Sequence, residues 1–188
     1  MKNILKLFLV LLGTQMYSQQ TIVDITNYST NDLDNIYYKD FTTYQNFTGT
    51  WENVNGNITF RLILWKVQHQ KYPGNNLYLD LIQGRYLIIQ NAGTGNEQVL
   101  YDSVKYYPQN GYTSTYVLEG KAINPYSFGG YFSDNNANGG NGIIEGGFVF
   151  EKTSTSGTQA HWEAYSDLPL QPGQSFTVPT DCILTKVN

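Results

Sequence analysis

A single cysteine, Cys182, in 188 residues excludes an internal disulfide and any metal site built on two thiolates. Charge is scarce as well. Charged residues make up 14% of the chain, the formal net charge is -4, and no Lys/Arg cluster supplies the electrostatic footprint of a nucleic-acid partner. No apolar run approaches the ~20 residues that a bilayer-spanning helix needs, so no membrane span is expected. The chain also lacks a G-x-S-x-G elbow, an H-E-x-x-H pair and a P-loop. Gly93-Thr94-Gly95 is an incomplete dinucleotide fingerprint, without a third glycine or a following helix. These absences point away from an enzyme and call for no cofactor and no metal. What the chain has in quantity is aromatic surface, with 16 Tyr, 9 Phe and 3 Trp. That supply offsets chain entropy, and the length fits one domain at roughly 150 residues per domain.

Residues 1–18 read as an export signal. Lys2 and Lys6 give the positive end, Leu5 and Leu7 to Leu12 the apolar middle, and Met16-Tyr17-Ser18 a cleavage site ending in a small residue. A soluble mature protein, periplasmic or extracellular, is therefore expected to start near Gln19. Residues 19–34 read as a polar N-terminal tether or a loose edge strand, and residues 35–188 as the folded domain. Between Asp32 and Phe47 the apolar residues Leu33, Ile36, Tyr37, Phe41, Tyr44 and Phe47 recur at helical spacing, which predicts a short helix.

Beyond Phe47 the period becomes two. Asn55-Gly56 predicts a two-residue hairpin turn between a run carrying Phe47, Gly49 and Trp51 on one face and a run carrying Ile58, Phe60, Leu62 and Leu64. Further alternating runs follow at Leu77–Ile82, Tyr86–Ile89, Val99–Asp102, Tyr112–Leu118, Tyr126–Phe132, Ile143–Phe150, Gln159–Tyr165 and Cys182–Val187. Turn signals, including Asn110-Gly111, separate them. Leu168 to Pro179 reads as an extended strap to the last strand. The pattern predicts an all-β domain, an antiparallel up-and-down barrel of about 8–10 strands, with a β-sandwich as the alternative. Closure is favoured because a low-charge, aromatic-rich chain would otherwise expose adhesive strand edges.

Tyr37-Tyr38-Lys39-Asp40, Phe47-Thr48-Gly49-Thr50-Trp51, the strand from Phe60 to Lys66, and Tyr78-Leu79-Asp80-Leu81-Ile82-Gln83-Gly84-Arg85-Tyr86 together resemble small secreted Bacteroidota proteins of domain-of-unknown-function family 6705. That resemblance carries no activity to transfer. Gly49-Thr50-Trp51 is also similar to the G-x-W entry of lipocalins and related calycin barrels. The likeness implies that Trp51 closes one barrel end with an arginine from the last strand packed over it. Those barrels use an arginine there; this chain has Lys186 in its last strand, and its only arginines are Arg61 and Arg85.

The residues that could contact a ligand are Trp65, Tyr116, His161, Glu163 and Tyr165, the last three sharing one face of a strand. On a lumen face His161 and Glu163 could move a proton; on an outer face they are solvated. Asp134 to Glu145 spells a calcium loop, but it sits in strand sequence where an EF-hand needs helices. Asp102-Ser103-Val104 matches a Bacteroidota O-glycosylation spelling. The leading functional expectation is a barrel that binds a small apolar or amphipathic ligand. The alternative is a module for extracellular glycans or a protein partner. Lumen volume separates the two, because a barrel filled by its own side chains holds no ligand.

Overall fold

The computed structural model describes residues 20–29, 34–74, 76–107, 112–114, 116–137, 142–153 and 157–187. The proposed export signal and the Asn110-Gly111 turn lie outside these residues. The described chain runs β1 (Thr21–Asp24), β2 (Asp34–Lys39), β3 (Gly49–Asn55), β4 (Ile58–Lys71), β5 (Asn76–Gln90), β6 (Gln98–Asp102), β7 (Lys105–Tyr107), β8 (Tyr112–Ser114), β9 (Leu118–Asn124), β10 (Ser127–Asp134), β11 (Ile144–Lys152), β12 (Gln159–Ser166) and β13 (Asp181–Val187). Eight of these strands close a lipocalin-like antiparallel barrel in the order β3-β4-β5-β9-β10-β11-β12-β13, with β13 returning to β3 through Lys186 opposite Trp51. No helix among the described residues is long and apolar enough to cross a membrane.

β5 organises the barrel. One edge pairs with β4 along most of its length, while the other carries three strands in succession. Leu77 to Leu79 take β2 in parallel, Ile82 to Gly84 take β9, and Leu87 to Gln90 take β6. Closure therefore rests on three residue pairs between β5 and β9. It is reinforced where Val117 donates to the Gly84 carbonyl and Ser133 donates to the Val117 carbonyl.

The alternation expected for β4 is present, with Phe60, Leu62 and Leu64 buried. Its hairpin differs in register. Asn55 pairs with Ile58, so the loop is Gly56-Asn57, with Gly56 at φ +63°. The turn thus opens on glycine and Trp51 faces Leu62. This displacement by two residues leaves every side chain on its expected face, because the strand period is two. The run from Tyr112 to Leu118 is divided between β8 and β9, with Tyr116 between them, and Tyr126 stands in the turn before β10.

The helix expected between Asp32 and Phe47 is absent among the described residues 34–47. There the first half is β2, and a single 3-10 turn at Tyr44–Asn46 is the only helical part. Helical spacing of the apolar residues was outweighed by the free edge of β5, which offers backbone partners along Leu77 to Leu79. In a strand Tyr37 and Tyr38 point to opposite sides. Tyr38 is fully buried in the core, while Tyr37 donates its hydroxyl to Asp80. Upstream, Thr21–Asp24 adds an edge strand parallel to β2.

Candidate functional site

The barrel interior is filled by a continuous column of rings. Phe47 and Trp51 begin it, each against Phe150, with centroids 6.1 and 4.9 Å apart. Phe150 meets Phe128 at 5.1 Å, Phe128 meets Phe148 at 5.3 Å, and Phe148 stacks on Trp162 at 5.4 Å. Trp162 reaches Phe60 and Phe132, and both of these approach Tyr86. An eight-stranded barrel is just wide enough for its own side chains to fill, and here large aromatics occupy it at 0–2% exposure.

Each end is closed separately. At the Trp51 end, Lys66 Nζ lies 2.9 Å from Asp40 Oδ2, 3.1 Å from Asp80 Oδ2 and 3.0 Å from the Asp40 carbonyl. Asp80, fully buried, also accepts from the Tyr37 hydroxyl and from the backbone N–H groups of Asp40 and His69. Burial alone would raise the Asp80 carboxyl pKa, but these donors outweigh it and hold the pKa below the ordinary value. Burial likewise opposes the Lys66 charge, yet the hydrogen bonds and charges of Asp40 and Asp80 win and raise its pKa. On the same side of the barrel, Lys186 Nζ sits 5.3 Å from the Trp51 ring centroid, within cation–π range. Gly49, at φ +117°, leaves room for the Lys186 stem.

At the opposite end the strap between β12 and β13 crosses the mouth. Phe176 packs on Phe132 at 6.3 Å and Val178 is buried. Thr177 donates its N–H to Asp134 Oδ2, Tyr86 donates its hydroxyl to Asp134 Oδ1 at 2.6 Å, and Trp162 Nε1–H donates to the Pro179 carbonyl at 2.9 Å. Burial first, then the Asp134 charge, pushes the Tyr86 phenol well above its ordinary pKa.

The three sequence-derived contact residues of β12 are not in the lumen. Trp162 and Ala164 point inward, so His161, Glu163 and Tyr165 line the outer face of β12. His161 Nε2 lies 2.8 Å from Asp181 Oδ1, and that pair is solvent-exposed. Of the two placements open to His161 and Glu163, the inward position of Trp162 leaves the solvated outer face. Trp65 is half-buried on the outside of β4, three strands around the ring from Tyr165, and Tyr116 is half-buried ahead of β9. The ladder links Tyr165 to Gly147, Gly147 to Tyr131 and Tyr131 to Glu119. Tyr165 and Tyr131 thus share one side of the barrel, while Trp65 faces elsewhere.

On that side lies a groove of about 400 Å³ lined by Tyr28, Lys121, Ile123, Gly129, Gly130, Val149 and Tyr165, among others. Its origin is the glycine content of β10 and β11. Gly129 sits on the outward row between Lys121 and Val149 and contributes no side chain. The Tyr165 ring packs across Gly147, where a Cβ would lie 2.6 Å from Tyr165 Cε2, and the residue remains 47% exposed. Tyr131 is also 47% exposed. Burial and then a hydrogen bond to the Glu145 carboxylate raise its phenol pKa to about 12. Lys121 closes the other wall, its Nζ 4.3 Å from the Tyr28 ring centroid. Tyr165 was accessible to sequence reasoning. Lys121 and Tyr28 were not, although the doublets Gly129-Gly130 and Gly146-Gly147 inside strands mark a place where something approaches the backbone closely.

The calcium-loop spelling and the serine motif both fall on structural positions. Asp134 is fully buried, and its two oxygens accept from Tyr86, Asn136 and Thr177. Glu145 lies in β11 opposite Ser133 and is exposed, as strand pairing predicted. Asn138 and Gly139 of the same spelling lie outside the described residues. Ser103 is fully buried and its Oγ accepts from the Tyr86 N–H at 2.8 Å, so the folded chain does not present it for modification.

An all-β barrel with a filled interior defines the structural class. Within it, residues 1–187 match the model of a family of unknown function, DUF6705, and the chain belongs to that family. No curated protein and no solved structure matches it.

Proposed function

We propose that this protein is an exported, non-catalytic binding module that takes a glycan on its outer face, in the groove between Tyr165 and Lys121. The observation that carries this reading is the aromatic column. Trp51, Phe60, Phe128, Phe148, Phe150 and Trp162 fill the space that an apolar or amphipathic ligand would need. A binding role therefore falls to the surface, where Tyr165 combines a half-exposed ring with neighbouring acceptors. A sugar ring has an apolar C–H face that packs on an aromatic ring, and hydroxyl edges that need acceptors such as Glu145 and Glu163. The glycine floor supports the same reading by letting a flat ligand approach the sheet.

A glycan array probed with the labelled full-length protein tests this. Binding to a defined set of glycans, lost in Tyr165→Ala and accompanied by no affinity for an aliphatic fluorescent probe, is the expected outcome. Tight uptake of the aliphatic probe would return function to the lumen. Silence on the array together with capture of a purified surface protein would replace the glycan with a protein partner.

A further inference from the structure

Lys121 is the anomaly of the groove. It is half-buried, and burial lowers its pKa with no carboxylate acting to restore it. Lys66 bridges two aspartates, Arg61 meets Glu52 and Arg85 meets Asp102. Lys186, like Lys121, lies over a ring instead of beside a carboxylate, but Lys121 lines the groove. Lys121 makes no ion pair among the described residues, and its Nζ lies 4.3 Å from the Tyr28 ring centroid. A partly desolvated ammonium is costly unless an anion meets it, and this one borders an open groove.

Resting on the glycan reading above, we propose that the groove selects an acidic oligosaccharide, with a uronic-acid carboxylate on Lys121 Nζ and an adjoining sugar ring on Tyr165. The backbone spacing leaves room for more than one sugar. Lys121 lies on the row that crosses β11 at Val149, and the Tyr165 ring lies over Gly147, two strands and two residues away. At about 4.8 Å between strands and 3.4 Å per residue the separation is about 12 Å, beyond the span of a single ring. The chemistry favours a carboxylate over a sulfate. One ammonium balances one negative charge, while Glu163 and Glu145 on the same side repel a polysulfated chain and accept hydrogen bonds from neutral hydroxyls.

The test is calorimetric titration of the full-length protein with three probes. These are a uronic-acid tetrasaccharide, the same tetrasaccharide with its carboxylates reduced to primary alcohols, and a sulfated tetrasaccharide. The acidic probe should bind at least tenfold more tightly than its reduced form, about 1.4 kcal/mol. Lys121→Met should abolish that difference, and Tyr165→Ala should weaken both. Lys121→Gln provides a second variant should the methionine impair folding. Equal affinity for the acidic and reduced probes, or an unchanged preference in both Lys121 variants, overturns the acidic assignment and leaves the glycan reading standing. Preference for the sulfated probe overturns the carboxylate. Failure of all three probes to bind overturns both readings.

Discussion

The two ends of this barrel are shut by different means. At the Trp51 end a charged cluster from β2, β4 and β5 satisfies itself, with Lys66 held between Asp40 and Asp80. At the other end a connecting segment lies over the mouth, held by neutral donors on one carboxylate, Asp134, and by one indole hydrogen bond to Pro179. The first closure ties two barrel-strand residues, Lys66 and Asp80, to Tyr37 of β2 and to Asp40 just after it. The second is made of a loop and can in principle detach while the barrel stays intact. The ends should therefore respond unequally to mutation, pH and solvent.

The largest effect should come from the charged end. Lys66→Met leaves two carboxylates, at 4% and 0% side-chain exposure, without their cation and should cost ~3–5 kcal/mol in urea unfolding. Trp51→Ala, which empties the base of the aromatic column, should cost a similar ~3–5 kcal/mol. At the strap end Asp134→Ala leaves the Thr177 N–H and the Tyr86 hydroxyl without their acceptor, and a loss of ~1–3 kcal/mol is expected. Equal losses for Lys66→Met and Asp134→Ala would erase the distinction between the ends.

Titration sharpens the same contrast. The folded Asp80 pKa is depressed, so its contribution is complete above the unfolded carboxyl value and is lost as pH falls through the folded one. The folded Lys66 pKa is raised, so its contribution is complete below the ordinary lysine value and is lost as pH rises through the folded one. Wild-type stability should fall at both extremes. In Lys66→Met the alkaline loss contributed by this lysine should vanish, as followed by thermal melts across pH.

Smaller effects separate strap from barrel. Trp162→Phe removes the donor to Pro179 and should cost ~1 kcal/mol. Its signature is faster amide exchange at Thr177 than at Leu62 or Phe148; uniform acceleration would mean that strap and barrel open together. Smallest of all, Gly147→Ala should displace the Tyr165 ring from the sheet. With Tyr165 exposed to solvent, its stability change should stay near 0.5 kcal/mol while glycan affinity falls.

The barrel wall was legible because one buried face imposes a period of two on Phe60, Leu62 and Leu64, and on Phe128 and Phe132. Four of the residues carrying the family resemblance, Tyr37, Asp40, Lys66 and Asp80, meet at the charged end. What the sequence concealed depended on distant pairing. β2 imitates a helix until the edge of β5 is available, and nothing local distinguishes Phe176 and Val178 from ordinary strap residues until they enter the barrel mouth. At the candidate site, Tyr165 could be read from alternation. The role of Lys121 arises only when β9, β10 and Tyr28 are brought together by the fold.

The most direct test of an interior filled by its own rings and a binding surface outside is NMR of the full-length protein titrated with oleate and, separately, with the uronic-acid tetrasaccharide. The account predicts that the Trp51 and Trp162 indole signals stay fixed in both titrations, while the amides of Gly129, Gly130 and Val149 shift with the sugar. Movement of the Trp51 and Trp162 indoles with oleate, at saturable affinity and with the glycine amides unmoved, would contradict it.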